Sequence, residues 1–339
     1  MTCALAFCRP SRDTRSMLNL YAHAPHGLVK VDVPAEGSFP DGVLWFDLLE
    51  PTPEEERRVE EFLRIDVPTR EEMKEIETSN RLYEVDGALY MTATVAARLD
   101  TQRPEATAVT FILVNGRLVT NRYIDTTPFQ RFASHAPRYG GIATPVGILA
   151  GLAEAFVERL ADVLERIGND LDSISAAIFH QSAGTEPNGR DLRRLLERIG
   201  FNGELDSKAR ESLVSLGRLL MFVQQSTFPG MTHEHRSRFK SIARDVTALS
   251  DHASFLGSKA GFLLEATLGL VNLEQNNIIK IFSIAAVLFL PPTLIASVYG
   301  MNFEVMPELN WAIGYPFALS LMVISMAATW WFFKRKGWL

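Results

Sequence analysis

The residues of this 339-residue chain best suited to chemistry lie near its C-terminal end. The tetrad Tyr299-Gly300-Met301-Asn302 is followed by Glu304 and Glu308, and the loop they occupy holds no lysine or arginine. Amide, carboxylate and glycine-exposed backbone oxygens without a neighbouring cation are chemistry for a positively charged solute. The two carboxylates would raise the local cation concentration, although ordinary solvation of a loop explains Glu308 as well. The thioether of Met301 is a poor ligand for a hard cation and is expected to pack outward and fix the turn.

No enzymatic constellation competes with this cluster. The seven histidines, His23, His26, His135, His180, His233, His235 and His252, are scattered, without an H-E-x-x-H motif or a nucleophile elbow. His233 and His235 form the tightest pair, but at i and i+2 on a helix they point apart, which suits a surface helix start better than a metal site. No glycine-rich phosphate loop is present. The only cysteines, Cys3 and Cys8, lack partners for a metal or disulfide and read as reduced, incidental thiols. A net charge of -6 argues against a general nucleic-acid or anionic-membrane binder. No enzyme activity and no cofactor are expected.

The elements that must position the cluster are two charge-free apolar runs, Ile281–Val298 and Pro316–Phe333. Each is about 18 residues and covers roughly 27 Å at helical rise, close to the hydrocarbon thickness of a bilayer once flanking residues are included. Tyr299, Trp311, Tyr315, Trp330, Trp331 and Trp338 stand at or near their ends, as an aromatic belt would. Lys334-Arg335-Lys336 follows the second run and Lys280 precedes the first, so positive-inside bias puts the connecting loop outside and both termini in the cytoplasm. A multi-pass protein of the cell (inner) membrane is expected.

Upstream, the chain changes character once. Residues 1–16 read as a disordered extension, with Met17 as an alternative start, and they lack the basic region and cleavage site of a signal peptide. Residues 17–140 read as a cytosolic α/β domain. Its strands are predicted over Leu18–Ala22, Leu28–Val33, Val43–Leu48, Arg81–Val85, Ala88–Ala97, Ala106–Val114 and Arg117–Tyr123. Asn115-Gly116 joins the last two as a type I′ hairpin, because both residues tolerate positive φ. Thr52-Pro53-Glu54-Glu55 and Thr69-Arg70-Glu71-Glu72 read as capping boxes that start helices. Residues 141–277 read as a helical cytosolic domain and stalk, with helices over Val146–His180, Leu192–Ile199 and Leu205–Phe228. Residues 278–339 complete the chain as a two-helix transmembrane domain.

No proline intervenes between Thr232 and Pro291, so one helix of roughly 100 Å is predicted from Thr232 to Tyr299, despite Gly257, Gly261 and Gly269. Steps of three and four place Asn276, Ile279, Ser283, Ala286, Leu290, Thr293, Ser297 and Gly300 on one face. Small residues there suit close helix packing in lipid, and on spacing alone packing is the better explanation. Polar ends with apolar rings between them also suit a water-accessible path with hydrophobic constrictions. Two helices cannot enclose such a path, so transport requires several copies. Pro291-Pro292 is expected to free carbonyls near Val287 and Leu288 and to kink the helix beside that path.

The segment Pro291-Pro292-Thr293-Leu294-Ile295-Ala296-Ser297-Val298-Tyr299-Gly300-Met301-Asn302-Phe303-Glu304-Val305-Met306-Pro307-Glu308-Leu309 resembles the signature of the CorA family of magnesium/cobalt channels. The shared pattern is Gly-Met-Asn at the outer end of the penultimate span, a Met-Pro-Glu-Leu loop and a final span closed by basic residues. Asn272–Lys280 and Trp45-Phe46-Asp47-Leu48-Leu49-Glu50-Pro51 also resemble family segments. The resemblance implies an α+β membrane protein assembled as a homopentameric funnel, in which five long helices line a pore for magnesium, with cobalt as a second candidate ion, moving down its electrochemical gradient.

By position relative to the motif, the resemblance makes Gly300, Met301 and Asn302 the selectivity filter. It makes Asn276, Ile279, Phe282, Ala286, Leu290, Thr293 and Ser297 pore-lining or gating residues. Where spacing offers Ser283, the family offers Phe282, and a bulky ring is the better gate. Magnesium sheds water reluctantly, so neutral Asn302 amides and carbonyls near Gly300 would accept hydrogen bonds from its first-shell waters rather than strip them. The resemblance further implies that cytosolic magnesium, held by carboxylates between neighbouring subunits, keeps the channel closed. Asp245 and Asp251 on the long helix, with Glu84 and Asp86 on the α/β domain, are the groups available for it. A related zinc transporter of the same architecture and a membrane-anchored, non-conducting sensor are the alternatives.

Overall fold

Short apolar runs separated by turn residues build a single mixed sheet in the N-terminal half. The computed structural model describes residues 18–24, 27–34, 37–75, 77–101, 103–135, 144–179, 189–301, 311 and 313–337. The sheet runs β2-β1-β3-β7-β6-β5-β4, from strands β1 (Leu18–Ala24), β2 (Gly27–Val31), β3 (Val43–Leu49), β4 (Leu82–Val85), β5 (Ala88–Ala97), β6 (Glu105–Val114) and β7 (Arg117–Arg122). Neighbours are antiparallel except β3 and β7, which pair in parallel from Trp45↔Leu118 to Leu49↔Arg122. All seven strands lie where the apolar runs predict them. Asn115 and Gly116 both have positive φ, 48° and 71°, as a type I′ turn requires. Asp86-Gly87, with φ of 51° and 78°, makes a second such hairpin between β4 and β5.

Strand alternation sends the two faces of the sheet to different cores. Leu20, Phe46, Leu48, Ile112 and Val119 pack with Val59 and Leu63 of helix α1 (Pro53–Leu63). That helix starts on the predicted capping box: Glu55 N–H donates to Thr52 Oγ1 at 3.2 Å and Thr52 N–H to Glu55 Oε2 at 3.0 Å. The Thr69 box closes too, yet only a 3₁₀ turn follows, Glu72–Lys74. Met73 is its one buried residue, and a cap without an apolar face to bury does not propagate a helix.

On the opposite face, Trp45 meets Phe129 and Phe132 of helix α3 (Thr127–His135), and Phe129 meets Phe156 of helix α4 (Pro145–Phe179). A buried ion pair sits among these rings. Arg122 donates through Nε and Nη2 to Asp47 at 2.9 Å each, and its guanidinium lies 4.2 Å from the Phe129 ring. Thr120 Oγ1 donates to Asp47 Oδ1 at 2.8 Å and accepts from Trp45 Nε1 at 3.0 Å. Arg122 Nη1 donates to Asp125 at 2.6 Å. Burial works against the Arg122 charge, but the hydrogen bonds and fields of Asp47 and then Asp125 outweigh it and raise its pKa.

Three helices complete the fold beside the four-residue α2 (Thr78–Arg81): α5 (Gly189–Gln225), α6 (His233–Tyr299) and α7 (Gly314–Arg335). Helix α5 is unbroken where two helices are predicted. Gly200 and Gly203 are absorbed because buried Ile199, Leu205 and Ala209 hold both sides of them. Helix α6 runs its 67 residues through Gly257, Gly261, Gly269 and Pro291-Pro292, as predicted.

The chain divides into two compact units, one of Met1–Ala183 with Leu196–Leu263, the other of Gly184–Leu195 with Leu264–Leu339. Within the first, Glu154 of α4 takes a bidentate pair from Arg238 of α6 at 2.6 and 2.5 Å, and Asp170 of α4 accepts from Arg198 and Asn202 of α5. Residues 1–16, expected to be a disordered extension, lie outside the described residues.

Candidate functional site

The site is built on the second unit. Two helices among the described residues, α6 and α7, are long and apolar enough to cross a membrane, and they contain both predicted runs. Each keeps one line of reduced exposure. On α7 it follows Gly314, Ala318, Met322, Ser325, Thr329 and Phe333, spaced by three and four. Small residues in that line let helices approach closely; their spacing is a signal the reading of the sequence missed. Hydroxyls on the two helices turn back onto their own carbonyls, Ser325 onto Met322 at 2.8 Å, Thr329 onto Ser325 at 2.9 Å and Thr293 onto Phe289 at 2.7 Å. No hydroxyl hydrogen among these three is left to lipid. At the C-terminal end of α7, Lys334 lies 4.8 Å from the Trp330 ring and Arg335 5.3 Å from the Trp331 ring, an arrangement fit for a membrane interface.

On α6 the less exposed positions from Ile284 onward are Ile284, Ala285, Leu288, Pro291, Pro292, Ile295 and Tyr299. At about 100° per residue they form one face, and the line Ile279, Ala286, Leu290, Thr293, Ser297 falls roughly 170° away. Asn276 and Gly300 flank that open face. Every one of these residues is exposed; Ile279 is at 55%, Phe282 at 71% and Leu290 at 64%. Phe282 and Ser283 stand on either side of the line, both exposed, so both remain on the open face. Thr293, having donated its hydroxyl hydrogen to Phe289, offers only oxygen lone pairs outward, which suits a cation or its waters.

Gly300 ends the helix, donating to Ala296 O at 2.9 Å, and Met301 follows on Val298 O at 3.3 Å. Gly300 is not among the positive-φ residues. Its requirement is steric instead: a Cβ here would stand 3.0 Å from Ala296 O. Pro291 and Pro292 bring no N–H, so the carbonyls of Val287 and Leu288 lose their helical donors while the helix continues. Asn302, Glu304 and Glu308 lie outside the described residues.

The regulatory candidates do not converge within one chain. Asp245 and Asp251 are exposed on α6, roughly 9 Å apart along its axis and about 120° apart around it. Glu84 is exposed on edge strand β4, and Asp86 occupies the first position of the β4–β5 turn. The reading of Asp86 as a carboxylate alone missed that Asp-Gly is a hairpin signal. Among the described residues, no three His, Cys, Asp or Glu side chains are grouped to hold a metal.

Residues 40–335 match the family described as CorA-like Mg2+ transporter protein. The chain belongs to that family. It is 34% identical over 324 residues to the "Magnesium transport protein CorA" of Pasteurella multocida, covering 95% of this chain and 100% of the relative. It is 36% identical over 326 residues to the protein of that name from Salmonella typhimurium, with the same coverage. Among solved structures, the complete CorA magnesium transporter from Methanocaldococcus jannaschii superposes with a TM-score of 0.73 at 21% identity, over 95% of this chain and 99% of that one. The ZntB cytoplasmic domain from Vibrio parahaemolyticus gives 0.57 at 8% identity, over 76% and 99%. Both structures bear on the fold alone. Soluble α/β domain, long helix and two C-terminal apolar helices are thus the architecture of the family, which is one of transporters and not of enzymes.

Proposed function

We propose that this chain carries magnesium across the membrane through a pore made by several copies, five in the arrangement that the family resemblance implies. The observation that carries this reading is the open face of α6. Ile279, Ala286, Leu290, Thr293 and Ser297 stand opposite the less exposed face, and two helices cannot enclose them. Copies meeting through those faces would line a path with hydroxyl and amide oxygens between apolar rings, narrow enough at Ile279, Phe282 and Leu290 to close by dewetting. At its outer mouth Asn302 amides would read the hydrated ion, with Glu304 and Glu308 concentrating cations around them. An interior potential of about -100 mV favours inward movement of a doubly charged ion by roughly 4.6 kcal/mol, so no cofactor or nucleotide is called for.

This reading places both termini in the cytoplasm and the chain in the inner membrane, with the basic end of α7 inside. Closure by internal magnesium follows if Asp245, Asp251, Glu84 and Asp86 face like charges across subunit boundaries, where a divalent ion screens their repulsion. Likeness to the ZntB domain, at 8% identity, bears on the fold and not on which ion is carried. The test is magnesium uptake by vesicles containing the purified chain, with cobalt, nickel and zinc as competitors. Selective magnesium uptake that Asn302→Ala abolishes, in a protein still assembled, is expected. Wild-type selectivity in Asn302→Ala would remove the filter assignment, and absence of flux in the unmodified chain would leave a non-conducting sensor.

A further inference from the structure

In the first unit, a groove between α5 and the β4–β5 end of the sheet holds more positive than negative charge. Its volume is about 370 Å³, and Arg81, Thr94, Arg210, Glu211, Ser215 and Arg218 line it. Three guanidiniums share one carboxylate, and Lys208 stands 3.7 Å from that carboxylate as well. Arg81 is only half committed. Its Nη2 donates to Thr94 Oγ1 at 2.9 Å and to Met73 O at 3.4 Å, while its buried Nε has no acceptor among the described residues. Arg210 feels the field of Asp206, but neither Arg210 nor Arg218 forms an ion pair among the described residues. Burial, aided by Arg218 and opposed by Glu211, lowers the pKa of the Arg81 guanidinium.

Hydroxyls add donors to the same space. Thr94 Oγ1 accepts from Arg81, and Ser215 Oγ accepts from the Thr94 N–H at 2.8 Å. Neither hydroxyl hydrogen has an acceptor among the described residues, so both are free to be donated. Donors therefore exceed acceptors, and the formal charge of the lining, three arginines against one glutamate, is +2. A carboxylate offers two oxygens and one charge. A phosphoryl group offers three oxygens and up to two charges, and guanidinium forks match it in pairs. The volume lies at the lower end of the range for small-molecule sites, about 300–1,000 Å³.

We propose that this groove binds a phosphate-bearing anion through Arg81, Arg210 and Arg218. The site is independent of the transport reading: it stands or falls on binding, not on flux. The full-length chain, purified in detergent, is titrated by calorimetry in metal-free, low-salt buffer with inorganic phosphate, pyrophosphate or adenosine triphosphate, against sodium chloride of equal ionic strength. Saturable binding of at least one phosphate compound and none of chloride is expected. Tightest binding of the triphosphate would identify a nucleotide site, and equal binding of all three a site for the phosphoryl group alone. Arg210→Gln and Arg218→Gln, exposed changes that leave packing intact, should each weaken binding about tenfold or more. Arg81→Lys, which keeps the charge but loses Nε, should do so similarly. No saturable binding of any of the three compounds, or unchanged affinity in the Arg210→Gln/Arg218→Gln double variant, would overturn the assignment.

Discussion

Helix α6 is one continuous element with two characters. From His233 to Leu263 it buries Phe239, Ile242, Val246, Ala253, Leu256, Ala260 and Leu263 at helical spacing, and most of its remaining surface is polar. From Leu264 to Tyr299 only Thr267 is buried, while Leu273, Ile281, Phe282, Phe289, Leu290 and Leu294 stand exposed. Both halves are α-helix. The difference lies in where each half finds its partners: the first finds them in its own chain, and the second, on the proposed reading, finds them in lipid and in other copies.

The contrast can be broken most severely in the first unit, where burial is complete. Asp47→Ala leaves the buried Arg122 guanidinium beside Phe129 with only the partly exposed Asp125, 2.6 Å from Nη1, to pair with. Orphaning one half of a buried pair costs about 3–5 kcal/mol, and Asp125 holds the loss near the lower end. Hydrogen exchange should show protection of the β3 and β7 amides falling by at least a hundredfold. Unchanged protection would mean that Asp125 alone suffices to hold the Arg122 charge.

A smaller effect comes from Asp206, buried on α5 with Oδ1 unpartnered and Oδ2 3.0 Å from where a Cβ on Gly257 of α6 would stand. Burial pushes its pKa from 3.8 up to about 6, against the opposing fields of Arg210 and His252. A raised carboxyl pKa means that the folded chain holds a proton which the unfolded chain releases. Its stabilising contribution is therefore complete below about pH 4 and lost as pH rises through about 6. Asp206→Asn should remove that pH dependence and stabilise the first unit at pH 7 by about 2 kcal/mol. A melting temperature with the same slope between pH 4 and 6 in both proteins would contradict this.

Leu290→Ser sharpens the contrast from the other side. Leu290 has little intrachain packing to lose, so stability should change by less than about 1 kcal/mol. Replacing an apolar ring by a hydroxyl in a dewetting constriction should nevertheless raise magnesium leak at high internal magnesium. An unchanged leak would place the gate elsewhere.

What could be read ahead of the structure follows from how local the determinants are. Asn115-Gly116, the Thr52 box and the proline-free stretch before Pro291 act over a few residues, and the hairpin, helix α1 and the uninterrupted α6 lie where they put them. The Thr69 box and the Gly200–Gly203 break misled because propagation depends on what packs against a helix, not on its first turn. Asp86-Gly87 carried a turn signal that its charge obscured. The Asp47–Arg122 pair joins residues 75 apart, and no local pattern announces a partner at that distance. In the membrane pair, the stripe from Asn276 to Gly300 was legible from spacing, yet its sense was not, because the same small residues serve helix packing and a water path equally. The line on α7 shows where packing uses them.

Thiol accessibility in the second half of α6 tests the central claim most directly. In a chain with Cys3 and Cys8 replaced by serine, single cysteines at Leu290 and Thr293 are compared with single cysteines at Leu288 and Ile295, using a positively charged, membrane-impermeant thiol reagent on conducting vesicles. If the open face lines the path, Leu290→Cys and Thr293→Cys react and block magnesium flux, while Leu288→Cys and Ile295→Cys stay unreactive. Equal reactivity on both faces, or reaction and block confined to Leu288→Cys and Ile295→Cys, would contradict it.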